Sequence, residues 1–556
     1  MASFKERTVL PFPRQVVFDY HNRIGALPRL VPPWQKVEIE QPPTSFGNGS
    51  RVIVSVAIGP FRKRWVAEHF DCVEGEQFCD RQIEGPFKSF THTHRFLPGP
   101  DESQSVLEDQ INYQLPAGAL GTLLLGRKIR RDIERGFAFR HARTRFDLFR
   151  HAKYAALPEL RIAITGASGS IGSNLVPFLT TAGHDVISLL RRAPNAPNEV
   201  QWNPQSGEMD LKAIGKVDVV VHLAGKNIAT RWTESAKREI YDSRVVATRK
   251  ICEQLARMDM KPRVLVCASA IGCYGDRGEE RLTEESPPGE GWLEKTCVDW
   301  EAATQPARDA GIRVVNLRTA IVLSARHGAL ARMLTPAKLG IAGRVGSGRQ
   351  WMPWISMDDQ IGVIYEAIRR DDWSGPINAV TDSVRQVDFI RTLGKVLRRP
   401  TFLSMPAAAV GLLFGRMGRE LLLGSVNAQP AKLRSSGFEW MLPNLEEALR
   451  SSRPRTSARL GLFDFVKPVV REFGQLFGVA HFLVGERGDA DGKRRRQWQL
   501  PWPHQMLHQA RQSRRQLLAH HPRTPRHRDQ KLVSAQPISA VVLANAGEDD
   551  LCDALE

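Results

Sequence analysis

Cysteine pairs and long apolar runs are missing from this chain of 556 residues, and each absence excludes a class of protein. The seven cysteines are scattered and form no C-x-x-C pair, so we expect neither a disulfide scaffold nor a metal site. The N-terminus lacks the apolar core of a signal peptide. Apolar runs such as 120–125 and 407–414 are far shorter than the roughly 20 residues that span a bilayer. These absences predict a cytoplasmic protein without a membrane span.

Acidic residues are almost absent from one segment, residues 492–531, which is crowded with Arg, His, Gln and Pro. Such a composition is typical of disorder, because few apolar residues are present to offset chain entropy. An out-of-frame translation would give the same mixture, and a nucleic-acid-binding tail is the third interpretation. We predict a disordered or unreliable tail over residues 451–556 and expect no nucleic-acid partner.

Three glycines stand between a strand pattern and a helix pattern near residue 166. The strand pattern is 161–165, and Gly166, Gly169 and Gly172 follow it at spacings of three. Helical periodicity and a second apolar run, 186–190, complete a strand–turn–helix–strand unit of about 30 residues. The first glycine permits the tight turn, the second lets backbone amides approach a pyrophosphate, and the third lets the helix pack on the strand. The unit predicts a dinucleotide cradle.

The residues after the second strand bear on which dinucleotide binds. An NAD site usually has Asp or Glu about 20 residues after the glycines, to hold the ribose 2′-hydroxyl. Here Leu190 is followed by Arg191 and Arg192, and no acid occurs until Glu199. An arginine fork can pair with a 2′-phosphate, so NADP is favoured and NAD remains possible. The alternative is that both arginines are ordinary solvated surface.

Alternating strand and helix patterns continue beyond the cradle. Further strands are predicted at 217–223, 263–268 and 313–317, with helices at 233–258 and 297–310. This order predicts an α/β fold with a Rossmann-like, doubly wound parallel sheet, and the residues after the 217–223 strand would meet the adenosine half of the cofactor. The residues predicted to contact the cofactor are Gly166, Ser168, Gly169, Ile171, Gly172, Arg191, Arg192, Leu223, Ala224 and Gly225.

The first 150 residues follow a different pattern. Runs at 51–58, 63–70, 92–96 and 106–113 alternate like half-buried strands, and a long amphipathic helix is predicted from residue 121 to about 149. With details such as "HRF" and "DQINYQLP", this order resembles the α+β helix-grip domain of the START-like, polyketide-cyclase (SRPBCC) superfamily. The resemblance implies a curved sheet that wraps the last helix around an apolar pocket for a hydrophobic ligand.

The strand ends of the second region carry a second resemblance. The motifs "TGASGSIG", "HLAG", "SAIGCYGDRGEERLTEESPPGEGWLEKTCVDWE", "NLRTAIVLS" and "WMPWISMDD" occur in the order found in extended short-chain dehydrogenase/reductases, and more closely in their epimerase-family branch. The likeness spans about 160 to 450, with a C-terminal extension at its end. We therefore predict four sections: 1–152 helix-grip, 160–400 Rossmann-like, 401–450 extension and 451–556 tail.

The resemblance also implies a catalytic set that is incomplete here. Such enzymes place a Ser or Thr after the fourth strand, a Tyr about 25 residues later, and a Lys four residues further on that lowers the pKa of the Tyr. Ser269 is in place, but the tyrosine position falls on Leu293 or Glu294 and the lysine position on Cys297 or Val298. None of the six tyrosines is followed by Lys at the fourth position.

Two functions stay open. In the first, the protein is an NADP-dependent oxidoreductase or epimerase for a small carbonyl or hydroxyl compound, with Ser269 and Tyr274 as catalytic residues and Glu294 and Lys295 nearby. In the second, it is a non-catalytic module for NADP and a lipophile, in which Tyr274 packs under the cofactor.

Three further sequence features carry smaller predictions. His222 ends a buried strand, so we expect a core histidine rather than a base. We expect Trp351 and Trp354 to shape a pocket lid. Asp358 and Asp359 are predicted to cap a helix that begins near Gln360.

Overall fold

The structure is a computed structural model that describes residues 1–43, 47–58 and 61–452. The predicted tail lies outside the described residues except for its first two. Within the described ranges, no helix combines the length and the apolar character needed to cross a bilayer.

The first part of the chain is an antiparallel sheet closed by a long helix. The strands lie side by side in the order β1-β7-β6-β5-β4-β3-β2, and every neighbouring pair is antiparallel. The elements are β1 (Ala2–Leu10), α1 (Arg14–Asn22), α2 (Ala26–Leu30), β2 (Val37–Gln41), β3 (Arg51–Ile58), β4 (Phe61–Val73), β5 (Gln77–Glu84), β6 (Ser89–Pro98), β7 (Ser105–Gln114) and α3 (Gly118–Ala152). This arrangement is the helix-grip architecture that the sequence predicts.

The second part is a seven-stranded parallel sheet in the order β10-β9-β8-β11-β12-β14-β17. The strand order reverses beside β8, so a crevice is expected between the carboxyl ends of β8 and β11. Its elements up to the sixth strand are β8 (Arg161–Thr165), α4 (Gly172–Thr181), β9 (Asp185–Leu190), β10 (Glu199–Gln201), α5 (Leu211–Ile214), β11 (Val219–His222), α6 (Glu234–Tyr241), α7 (Ala247–Ala256), β12 (Val264–Ala270), β13 (Arg281–Leu282), α8 (Trp292–Ala302), α9 (Gln305–Asp309) and β14 (Arg313–Thr319).

The remaining elements add two small sheets and the C-terminal extension. The strands β15, β16 and β18 form one small sheet, and β13 pairs with β19. These elements are β15 (Ile321–Leu323), α10 (Gly328–Leu339), β16 (Trp351–Ser356), α11 (Met357–Arg369), β17 (Gly375–Ala379), β18 (Asp382–Arg385), α12 (Gln386–Leu397), α13 (Ala407–Gly418), β19 (Asn427–Ala428), α14 (Ala431–Ser435) and α15 (Leu445–Ser451). The predicted Rossmann-like fold is confirmed.

Two predicted helices are each divided in the structure. The predicted helix 233–258 becomes α6 and α7, joined by a π-helical turn over Asp242–Val246. The predicted helix 297–310 becomes α8, which starts five residues earlier, and the separate α9, which has Pro306 in its first turn. Proline fits the first turn of a helix because it has no amide hydrogen to donate there.

Asp358 and Asp359 are not helix caps, so that prediction is wrong. Ser356 caps α11, because its hydroxyl accepts a hydrogen bond of 2.9 Å from the Asp359 amide. The two carboxylates lie in the first turn and bind arginines of the helix-grip domain. Asp359 contacts Arg150 at 3.0 Å. The contact joins α11 directly to α3.

The prediction of a tryptophan lid is wrong for Trp354. Trp354 is 1% exposed and belongs to an apolar core with α10 and α12. Trp351 lies 3.9 Å from the Arg385 guanidinium, and its indole NH donates to Glu279. Trp354 is therefore part of the core, whereas a lid role for Trp351 stays a prediction.

Candidate functional site

The loop after β8 brings two strand ends into close contact. Gly166 has a φ of +70°, and a Cβ there would lie 2.9 Å from the Ala224 amide nitrogen. Only glycine suits both the left-handed backbone and this approach. The buried Thr165 hydroxyl accepts hydrogen bonds from the Leu223 and Ala224 amides, at 3.1 and 3.2 Å. The carboxyl ends of β8 and β11 are thus held together.

Gly169 and Gly172 differ in what surrounds them. A Cβ at Gly169 would meet a single atom within 4 Å, the Gly166 carbonyl oxygen at 3.0 Å, and the position is otherwise open and exposed. A Cβ at Gly172 would overlap that same oxygen and lie 2.7 Å from Ala167 Cα. Gly172 therefore serves close packing of α4, whereas Gly169 faces open space.

That open space lies at the N-terminus of α4. Ser168 and Gly169 are exposed, and Ile171 immediately precedes the first helical residue. The dipole of α4 favours an anion such as a pyrophosphate at this end of the helix. The residues present fit a dinucleotide, because a Cβ at residue 169 would take space that a phosphate needs.

The two arginines after β9 are not equivalent. Arg192 donates two hydrogen bonds to the Glu199 carboxylate, at 2.7 and 2.8 Å. Among the described residues, the exposed Arg191 guanidinium has no hydrogen-bond or ion-pair partner. The Arg191 guanidinium is therefore available to bind an anionic group at the end of β9.

An arginine that the sequence did not reveal lies beside Gly225. A Cβ at Gly225 would lie 3.6 Å from Arg244 Cζ. The Arg244 guanidinium donates to the Lys226 carbonyl at 2.9 Å and lies 5.2 Å from the Trp300 ring. Its position depends on the π-helical turn, which no pattern in the sequence indicates.

Ser269 is bonded into a buried network. Its hydroxyl donates to Glu301 Oε1 at 2.6 Å, and the Arg318 guanidinium holds both oxygens of the same carboxylate, at 2.8 and 2.9 Å. Ser269 is 4% exposed. Its hydroxyl is thus already engaged within the protein.

Tyr274 lies at the other end of that network. Its phenol oxygen accepts a hydrogen bond of 3.0 Å from Arg318 and lies 2.8 Å from Asn378 Oδ1 and 2.9 Å from the Thr283 carbonyl oxygen. The side chain is fully buried, and this burial raises the pKa of Tyr274 above its ordinary value. The geometry favours the packing interpretation of Tyr274 over the catalytic one.

Glu294 and Lys295 have opposite environments on the first turns of α8. Lys295 is exposed and pairs with Asp299 at 2.8 Å. Glu294 is buried, and among the described residues its Oε2 has no hydrogen-bond partner. Burial raises the pKa of Glu294, and the nearby Glu420 raises it further. A carboxyl group with a raised pKa keeps its proton at higher pH than an ordinary glutamic acid.

His222 is a core histidine, as the sequence predicts. Its ring nitrogens lie 2.8 Å from the Thr165 hydroxyl and 3.1 Å from the Thr248 hydroxyl. Burial lowers the pKa of His222 to about 4. The neutral ring connects β11 to β8 and α7.

Family models match three parts of the chain. Residues 162–379 match the NAD dependent epimerase/dehydratase family, and residues 10–138 match the family described as polyketide cyclase / dehydrase and lipid transport. Residues 405–452 match a domain of unknown function. The chain therefore combines an NAD(P)-binding, short-chain-dehydrogenase-like domain with an SRPBCC domain.

Individual relatives show to which family the chain belongs. An epimerase family protein of Mycobacterium bovis is 41% identical over 290 residues, which are 52% of this chain and 96% of that protein. The epimerase family protein YfhF of Bacillus subtilis is 35% identical over 52% of this chain and 97% of its own length. The chain belongs to this epimerase family, and its cofactor is a nicotinamide dinucleotide.

A solved structure covers both domains. The nucleoside-diphosphate sugar epimerase of Corynebacterium glutamicum is 28% identical, with a TM-score of 0.66 over 93% of this chain and 100% of that one. The fusion of the two domains is therefore similar to that of a known structure.

Proposed function

We propose that this protein is an NADP-dependent oxidoreductase or epimerase for a small carbonyl or hydroxyl compound. The observation that carries the proposal is the open, exposed space at Gly169, beside the N-terminus of α4 and at the reversal point of the parallel sheet. We also propose the ten cofactor contacts and the four section boundaries that the sequence predicts. A cytoplasmic location is part of the proposal, because the six described cysteines are all free.

The preference for NADP is supported by Arg191. A 2′-phosphate carries charge that NAD lacks, and a charged hydrogen bond contributes about 1.5–3 kcal/mol. Arg192 contributes less to this preference because Glu199 already neutralises it. We therefore assign the 2′-phosphate to Arg191 first.

We assign to Glu294 the role of donating or accepting the proton in this reaction. When bound, the nicotinamide supplies or accepts the hydride, and a group of the protein must supply or accept the matching proton. Glu294 follows Ser269 by 25 residues and lies beside the loop after β12, since a Cβ at Gly275 would lie 2.6 Å from its Oε1. Burial raises the pKa of Glu294, so it keeps its proton to higher pH than an ordinary glutamic acid, and among the described residues its Oε2 has no hydrogen-bond partner.

A non-catalytic function is the second candidate. The specific observation in its favour is that Ser269 and Tyr274 are both bonded to the Arg318–Glu301 ion pair. In that case the chain would bind NADP(H) in one domain and a lipophile in the other, without turnover.

The two candidates are separated by absorbance at 340 nm. Purified protein is mixed with NADPH and a panel of aldehydes and ketones, and NADPH affinity is measured by fluorescence. We expect turnover that Glu294→Gln reduces at least tenfold while NADPH affinity stays within about twofold, since loss of general acid catalysis typically reduces rates by about 10²–10⁴-fold. The matched control is Glu290→Gln, which alters an exposed glutamate four residues earlier. Tight NADPH binding without turnover on any compound would favour the non-catalytic module.

A further inference from the structure

The inner face of the helix-grip sheet carries a polar cluster in the middle of its strands. The antiparallel register places Asp80 of β5 directly opposite His92 of β6, and His94 of β6 directly opposite Asp109 of β7. Residues two apart on a strand point to the same face, so His92 and His94 lie side by side. Their ring centroids are 3.8 Å apart.

Three potential ligand atoms of this cluster lie close to one another. Asp80 Oδ2 lies 3.3 Å from His92 Nδ1 and 3.8 Å from His94 Nε2, and all three atoms lie within 4.8 Å of one another. A zinc ion holds nitrogen and oxygen ligands at about 2.0–2.2 Å, which places neighbouring ligand atoms roughly 3–3.5 Å apart. The widest pair of these atoms would have to close by up to roughly 1–2 Å to reach those separations.

The opposite ring nitrogens meet a second carboxylate. His92 Nε2 lies 2.9 Å from Asp109 Oδ1, and His94 Nδ1 lies 2.6 Å from the same oxygen. Asp109 Oδ2 in turn lies 2.6 Å from His141 Nε2 of α3. Metal-bound histidines almost always bond their other nitrogen to a carboxylate or carbonyl group, which fixes the ring orientation. Asp109 therefore supports the His92 ring through a hydrogen bond, and it lies at ion-pair distance from His94.

The two carboxylates of the cluster are buried or half-buried and are paired with histidines. The Asp109 side chain is 3% exposed and that of Asp80 is 18% exposed. Every ion-pair partner that the described residues give these two carboxylates is a histidine. Buried carboxylates are stabilised by pairing or by coordinating a metal.

We propose that Asp80, His92 and His94 bind one divalent transition-metal ion in the helix-grip domain. Two imidazoles and one carboxylate suit zinc or iron(II) and leave coordination positions open. Aromatic rings adjoin the site, and Phe78 stacks on His94 at 4.2 Å. The open positions would accept an oxygen atom of an otherwise apolar ligand. The sequence predicted no metal site, so this inference reverses that expectation.

The test is a titration of the full-length, chelator-stripped protein with Co²⁺, followed by visible absorption and calorimetry. We expect one Co²⁺ per chain with ligand-field bands. Asp80→Asn or His94→Ala should weaken that binding by at least about 100-fold, more than the 10–100-fold typical of residues that only hydrogen-bond to a ligand. Asp109→Asn should weaken it by about 10–100-fold. Circular dichroism and denaturant unfolding report on the integrity of each variant.

The control addresses the histidine-rich tail, which could bind the same ion. The double variant His520→Ala, His521→Ala should leave the Co²⁺ site at full occupancy. Wild-type affinity in Asp80→Asn and His94→Ala, or a Co²⁺ signal that disappears only with the tail variant, would overturn the proposal. If one variant does not fold, the other two decide the outcome.

Discussion

The two sheets of this molecule place their polar side chains in opposite ways. In the helix-grip sheet, His92 and His94 are the fourth and sixth residues of the ten-residue β6. In the parallel sheet, the interior of β8 and β11 is apolar, and Thr165 and His222 are the last residues of their strands. Helices cover both faces of a doubly wound sheet, so only its carboxyl edge is free for ligands. A sheet that wraps one helix can instead use its inner face.

The largest expected effect concerns only the proposed cofactor site at the carboxyl edge of the parallel sheet, here called the edge site. Gly169→Val should abolish NADPH binding, because the side chain fills open space that the pyrophosphate needs, while the fold survives. Fluorescence titration measures the loss, and Co²⁺ binding in the first domain should stay unchanged. Gly172→Val is the contrasting variant, since its side chain would overlap the Gly166 carbonyl and should destabilise the fold itself. Unchanged NADPH affinity in Gly169→Val would contradict the cradle assignment.

The next effect tests the contact between the two regions. Both Asp359 oxygens act only as acceptors, from Arg150, Ser356 and two backbone amides. Asp359→Asn should therefore lower the free energy of unfolding by about 3–5 kcal/mol, the usual effect of breaking a buried ion pair. Denaturant unfolding measures it, with Asp371→Asn as control because that carboxylate is 83% exposed. Equal effects of the two variants would show that the interface contributes no special stability.

A smaller effect sharpens the description of the edge site. Arg191→Ala should weaken NADPH by about 10–100-fold and leave NADH nearly unchanged, because one charged hydrogen bond contributes about 1.5–3 kcal/mol. Arg192→Ala should have the weaker effect, since its guanidinium is held by Glu199. Parallel titrations with the two cofactors decide the matter. Equal losses for NADPH and NADH would show that Arg191 does not contact a 2′-phosphate.

The smallest effect asks whether Tyr274 is structural. Tyr274→Phe removes a partner of Arg318 and Asn378 and should lower the free energy of unfolding by about 1–3 kcal/mol, with NADPH affinity and any turnover nearly unchanged. Tyr241→Phe is the matched control, because its hydroxyl contacts Asp299 in a more exposed position. A tenfold loss of turnover without a loss of stability would make Tyr274 catalytic after all.

The elements that the sequence predicted correctly are those whose residues show a clear local periodicity. Strand 161–165 and the run 51–58 have the same bounds in the structure, because each alternates and is bordered by turn residues. Gly169 and Gly172 have neighbours only a few residues away, whereas Gly166 lies against Leu223 and Ala224, and the dinucleotide cradle stays a prediction. The helix-grip helix, predicted over 121–149, runs from 118 to 152.

Contacts between distant elements explain what the sequence missed. Ser269, Glu301 and Arg318 come from three elements, so no spacing rule joins them. Asp80 and His92 meet only through the register of a hairpin, which alternation alone does not fix. Asp358 and Asp359 match a capping pattern, but their partners lie on another domain.

The contact between α3 and α11 bears on how the two domains can be inherited. Lys153 and Tyr154, just past the end of α3, both bond to Glu366, as Arg150 does to Asp359. The Mycobacterium bovis relative, whose 290 matched residues are 96% of its length, is too short to contain both domains. A recombination that exchanged only residues 1–152 would leave Asp359 without Arg150, whereas Glu366 would keep Lys153 and Arg370. We therefore expect the two domains to be inherited together. A new first domain should be retained only when it supplies a basic residue to pair with the carboxylate on α11.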